Sequence, residues 1–152
     1  MPIKTFRGLL ADSANITINL ATNDGKIGYM IRSLQLMAEK PGAVHNENVV
    51  KVYTAKQTSV DAEVNFEDQT LVGAAFYTQD ASRVYNPSTT VVFDKVIFNQ
   101  DIYITHKMVD ESGLVNYYLE LEQVKLNDNE TTMATLQSIK TRREMYFPAG
   151  PT

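Results

Sequence analysis

Alternation of apolar and polar positions dominates this chain and predicts strands. Ile16-Thr17-Ile18-Asn19-Leu20 alternates as a half-buried strand does, and Asp24-Gly25 follows as a tight-turn signal. Ile27 to Met37 is a long strand whose apolar parity switches midway, from Ile27, Tyr29 and Ile31 to Leu34 and Leu36. A β-bulge, or passage between two environments, accounts for the switch. Val49 to Lys56 and Gln69 to Thr78 are further strands, the second with Gly73-Ala74-Ala75 at its centre. Small residues there imply close approach by another sheet or chain. Val64-Asn65-Phe66, Thr89 to Phe93 and Val96 to Phe98 read as short strands. Asp101 to Met108 places Ile102, Ile104, His106 and Met108 on one parity. In Leu114 to Leu126, Val115, Tyr117, Leu119 and Leu121 face one way, and Asn116, Tyr118, Glu120 and Glu122 the other.

Ala38 to Asn48 and Gln79 to Ser88 are loops with turn residues. One segment breaks the alternation. Asn127-Asp128-Asn129-Glu130 supplies capping side chains and acidic charge, Met133, Leu136 and Ile139 follow at helical spacing, and Lys140, Arg142 and Arg143 suit a helix C-terminus. These residues predict a short helix from about Glu130 to Thr141, with a last strand as the rival because threonines crowd the segment. The expected architecture is all-β. It is an antiparallel β-sandwich or jelly roll of about eight strands with a short C-terminal helix, whose inner face includes Ile18, Ile31, Val52, Phe93, Ile104, Leu119 and Leu121. Residues 1–152 form one domain, with 143–152 as an extended tail.

The length of 152 residues gives room for one real core, and 43% hydrophobic with 21% charged residues is ordinary globular usage. The absence of cysteine excludes disulfides and thiol catalysis. A net charge of −4 is no footprint for nucleic acid, and no apolar run approaches a membrane span. No phosphate loop or nucleophile elbow is visible, so no catalytic residue, metal or cofactor is expected. His45 lies in a polar loop, and His106 reads as a partly buried sandwich residue. The acidic patch Asp61, Glu63, Glu67 and Asp68 reads as the wet face of an edge strand rather than a calcium loop. Glu120 and Glu122 stand about 6.6 Å apart on one strand face, a spacing compatible with glycoside chemistry, but the face reads as a solvated one opposite the Val/Tyr/Leu core, and the absence of Trp counts against a carbohydrate-processing cleft. The run Arg142-Arg143-Glu144-Met145-Tyr146-Phe147-Pro148 puts aromatics beyond the last regular element. Arg142, Arg143, Tyr146 and Phe147 are therefore the candidate partner-binding residues, with docking on the chain's own domain as the alternative.

Several stretches together resemble small virion structural proteins of marine tailed bacteriophages. They include Ile3 to Leu10, Gly28-Tyr29 with Ile31-Arg32, Val49 to Tyr53, Phe66 to Ala75, Val92 to Lys107 and Asn116 to Gln123. The resemblance reaches nearly to Ile139 and leaves out the last ten residues. It implies a protein of the virion, assembled in the host cytoplasm. The expected role is capsid decoration (cement): a homo-oligomer, taken as a trimer, bound to the major capsid protein or other virion proteins on the outer surface of the head. The rival is an accessory tail, neck or fibre module that binds a receptor or glycan. Neither reading involves nucleic acid or membrane.

Overall fold

A computed structural model describes residues 2–41, 46–79, 88–109 and 113–146, with Asn46 and the last nine of these given by backbone alone. Among these residues, eight strands are followed by one helix: β1 (Ile3–Ala11), β2 (Asn15–Ile18), β3 (Ile27–Ala38), β4 (Asn46–Tyr53), β5 (Leu71–Gln79), β6 (Ser88–Val92), β7 (Ile102–Met108), β8 (Leu114–Lys125) and α1 (Asp128–Tyr146). All pairings are antiparallel. They build a three-stranded sheet of order β1-β8-β3 and a five-stranded sheet of order β2-β7-β4-β5-β6.

The strand order has a simple logic. Rolling up one long hairpin of eight strands nests the pairs β1–β8, β2–β7, β3–β6 and β4–β5, which is how a jelly roll arises. The first, second and fourth pairs are present as ladders. β6 instead hydrogen-bonds β5, while β3 takes the free side of β8 and lies against β5 and β6. The fold is thus an antiparallel sandwich of two sheets, with three of the four nested pairs and no β3–β6 ladder among the described residues.

Side chains of the two sheets meet in one core. Leu10, Ile31, Leu34, Val115, Leu119 and Leu121 come from the smaller sheet, and Ile18, Val50, Val52, Ile102 and Ile104 from the larger. Alternation on β8 places Val115, Tyr117, Leu119 and Leu121 inside, as the sequence predicts. On β3 the parity switch is a bulge: the register with β8 shifts between Ile31 and Ser33, so Ile31 and Leu34 both point inward. The small centre of β5 admits β3. A Cβ built on Gly73 would lie 3.4 Å from Ile31 Cδ1 and 3.8 Å from Leu34 Cδ2.

Several expectations are corrected. Ile3–Ala11, which the alternation left unread, is a full strand, although Lys4 and Gly8 stand at its inward positions. Its long pairing with β8 supplies what local propensity does not. Val64-Asn65-Phe66 forms no strand, and the acidic patch belongs to the irregular connection between β4 and β5. Phe93 lies just beyond β6 and is only half-buried, edge-on to the exposed ring of Phe66 at 5.5 Å between centroids. Val96 and Ile97 are exposed loop residues, and Phe98 makes a two-hydrogen-bond bridge to Tyr29. Gly25 takes the positive φ of 66° expected of it, but the turn joins strands in different sheets rather than a hairpin.

The helix is longer than predicted. It begins at Asp128 and its backbone continues to Tyr146, so 143–146 is helical rather than an extended tail. Arg142, Arg143, Glu144 and Met145 are all good helix formers, and proline does not intervene until Pro148.

Candidate functional site

Of the expected partner-binding residues, Arg142, Arg143 and Tyr146 stand on the last turns of α1. Phe147 lies outside the described residues. The helix start is firmly set. Asn127 Oδ1 accepts from Glu130 N at 2.8 Å, and Glu130 Oε1 accepts from Asn127 N at 3.0 Å, a reciprocal capping box. Asn99, fully buried, donates through Nδ2 to Gly25 O at 3.0 Å and to Thr135 Oγ1 at 2.8 Å. The helix therefore docks through short polar side chains. Among its described side chains the larger apolar ones face water: Met133 is 71% and Leu136 57% exposed. Between α1 and the loop before β7 runs a groove of about 340 Å³, lined by Val96, Ile97, Leu126, Met133 and Ala134, with Glu130 and Gln137 also lining it.

The second surface is the outer face of the three-stranded sheet. Register places Arg7, Tyr118 and Gln35 side by side across β1, β8 and β3, and Leu9, Asn116 and Met37 in the adjacent row. Together they line a shallow depression of about 550 Å³. Asn116, Tyr118, Glu120 and Glu122 do share this face. Tyr118 donates its hydroxyl to Glu120 Oε1 at 2.6 Å, and this bond holds the phenol above its ordinary pKa. Arg32, the bulge residue, reaches Glu122 Oε1 through Nε at 3.1 Å and Nη2 at 2.7 Å. Both carboxylates therefore have partners on the sheet itself.

The buried polar groups have structural work. The β1–β2 corner, with Ser13 at φ 64°, carries the chain from one sheet to the other and is knitted to β7. His106 N donates to Ala14 O and Met108 N to Asp12 Oδ1. His106 is completely buried, deeper than the sequence suggests, with Nδ1 2.9 Å from Ala11 O and Nε2 2.9 Å from the carboxamide of Asn48. Burial pushes its pKa down, against the Ala11 carbonyl and Asp12, so the ring is neutral. The Asn48 atom that faces Nε2 is Oδ1, while its Nδ2 donates to Tyr77 O at 3.4 Å, so both ring nitrogens face oxygens and a neutral ring donates from one of them only.

Lys51 is buried on β4, and its ammonium donates to Asp61 Oδ1 at 2.8 Å and Glu63 O at 2.6 Å. It also lies 5.6 Å from the ring centroid of Tyr53. Burial pulls the Lys51 pKa down, but its bonds to Asp61 and Tyr53 outweigh this and the net shift is upward. The same bond lowers Asp61. Asp68 is likewise engaged, accepting from Thr70 N and Oγ1. The patch thus ties down the β4–β5 connection. Among the described residues, no group of three or more His, Asp or Glu side chains is placed to hold a metal ion. His45 lies outside the described residues.

The outer-face cluster was half legible. Alternation along β8 brings Asn116, Tyr118, Glu120 and Glu122 together, but Arg7, Leu9, Gln35 and Met37 join them only through cross-strand register. Comparison with protein-family models, with curated proteins and with solved structures finds no match to this chain.

Proposed function

We propose that the protein is a structural component of a bacteriophage virion, a decoration protein that binds the outer surface of the head as a homo-oligomer and stabilises it. The observation that carries the reading is the pair of facing antiparallel sheets, β1-β8-β3 and β2-β7-β4-β5-β6, an all-β architecture that viral capsid modules share with many other proteins. Fold alone never fixes function. The sequence resemblance to marine phage structural proteins adds the virion. A contact surface is also at hand. Met133, Val96 and Ile97 are exposed around one groove, and apolar surface of that kind is stabilised by covering it. A partner that binds only the assembled shell shifts the equilibrium toward that shell, by RT ln(1 + [L]/Kd) per site. A small β module bridging capsid subunits would act in this way against the outward pressure of packaged DNA.

The test adds purified protein to phage heads that lack it. Saturable co-sedimentation, with a raised temperature of DNA release, is the expected result. Failure to bind mature heads, with binding to isolated tails instead, would replace this reading by that of a tail, neck or fibre module.

A further inference from the structure

We propose that the outer face of the three-stranded sheet is a binding site for a carboxylated saccharide, read by Arg7, Tyr118, Gln35 and Asn116. This goes beyond the virion reading and holds for any part of a particle that displays the face. The depression combines three kinds of group in two adjacent cross-strand rows. The first is an aromatic surface. The Tyr118 hydroxyl is tied to Glu120 at 2.6 Å, which restrains the phenol ring. A ring held in place loses little entropy when a ligand stacks on it, and a sugar's C–H face packs on an aromatic face as other apolar groups do. Exposed Leu9 and Met37 extend this apolar floor.

The second kind is unspent hydrogen-bonding capacity. Among the described residues Asn116 makes no side-chain hydrogen bond, and Gln35 uses only its Nε2, on Ser33 at 3.3 Å. Carboxamides supply a donor and an acceptor side by side, which suits vicinal hydroxyls. The third is charge. Arg7 is the one charged side chain lining the depression, and among the described residues it has no ion pair or hydrogen bond. Two carboxylates of this face are already engaged, Glu120 by Tyr118 and Glu122 by Arg32. An unpaired guanidinium beside an aromatic floor selects a planar anion, and its fork matches a carboxylate bidentately. Neighbouring strands set the side chains of a row about 5 Å apart, and the rows follow at about 7 Å, so the six groups cover the footprint of a small oligosaccharide.

The experiment screens the full chain against an array of galacturonate and glucuronate oligomers and sialyllactose, beside the methyl esters of the uronates and unmodified lactose. Hits are then titrated by calorimetry at low and high salt. The expected result is saturable binding of at least one acidic saccharide. Its neutral counterpart should bind about tenfold or more weakly, the equivalent of one charge-assisted contact. Arg7→Ala and Tyr118→Ala should each cut affinity by about tenfold or more. Arg7→Lys should restore only part of it, because an ammonium lacks the fork. Unchanged urea midpoints would certify that the variants fold. No acidic saccharide bound, equal binding of neutral and acidic partners, or binding indifferent to both variants would overturn the proposal. So would concentration-dependent self-association abolished by Tyr118→Ala, which would assign the face to a second copy of the chain.

Discussion

Leu119 gives the sharpest test of the packing. It stands at the middle of β8 with Phe6 of β1 and Leu34 of β3 as its cross-strand partners, and it is fully buried against the facing sheet. Leu119→Ala removes three carbons. At about 0.8 kcal/mol each the transfer term is about 2.4 kcal/mol. Ladders on both sides of β8 keep the backbone from closing over the gap, so a cavity term adds to it and the total reaches about 3–4 kcal/mol. For a domain of this size that is a fall in Tm of about 6–16 °C. Leu9→Ala is the control: the same chemistry on the outer face of the adjacent strand, where Leu9 is 47% exposed, should cost less than about 1 kcal/mol. Urea unfolding followed by circular dichroism, with equal m-values, reads both. A loss under about 0.5 kcal/mol for Leu119→Ala, or equal losses for the two variants, would refute the assigned inner face.

The buried neutral His106 takes up its proton on unfolding, so the unfolded state binds more protons below the unfolded value of about 6.5. Stability should therefore fall as pH drops from 7.5 to 5.5, and His106→Gln should flatten that dependence; stability that rises instead would mean a charged ring held by both oxygens. Lys51→Met should destabilise the fold at neutral pH by about 1–3 kcal/mol, because it removes the ammonium's bonds to Asp61 and Glu63 O, and those bonds outweigh its burial. Asp61→Ala should lose about 1–2 kcal/mol at neutral pH, a modest value because Asp61 is more than half exposed. With its pKa lowered, the Asp61 contribution is present above the unfolded value of 3.8 and vanishes as pH falls below it, so wild type and variant should converge in acid. Cutting the chain after Glu144 removes Tyr146 and Phe147. If these residues dock on a neighbouring chain, the free domain keeps its Tm while occupancy on heads or oligomerisation falls; a much earlier melt would assign them to their own domain.

What the sequence revealed followed from how local each signal is. Period-2 alternation is carried by consecutive residues, so β7 and β8 and their buried faces were readable from Ile102, Ile104, Leu119 and Leu121 alone. The parity switch in β3 was readable too, but that it is a bulge at Arg32 rather than a change of environment came from the register with β8. β1 was not. Lys4 and Gly8 on its inward side and Ile3 and Leu9 on its outward side weaken the alternation, and nine residues of pairing with β8 hold it in place. Val96-Ile97-Phe98 misled in the opposite sense, since β-branched and aromatic residues there serve a loop and one bridge to Tyr29. The end of α1 was set too early, because basic residues near Thr141 looked like a C-terminal signal when helix formers run on to Tyr146. The outer-face cluster depended on register among three strands far apart in sequence, and no local pattern carries that information.

The central claim is membership of the virion at its head surface, and copy number tests it most directly. Quantitative peptide mass spectrometry of purified particles, calibrated against the major capsid protein, measures it. The account predicts a stoichiometry that is a simple fraction of the major capsid protein, as regular occupancy of a symmetric shell requires. A dozen copies or fewer would contradict head decoration and point to tail or neck, and no copies in purified particles would contradict the virion reading altogether.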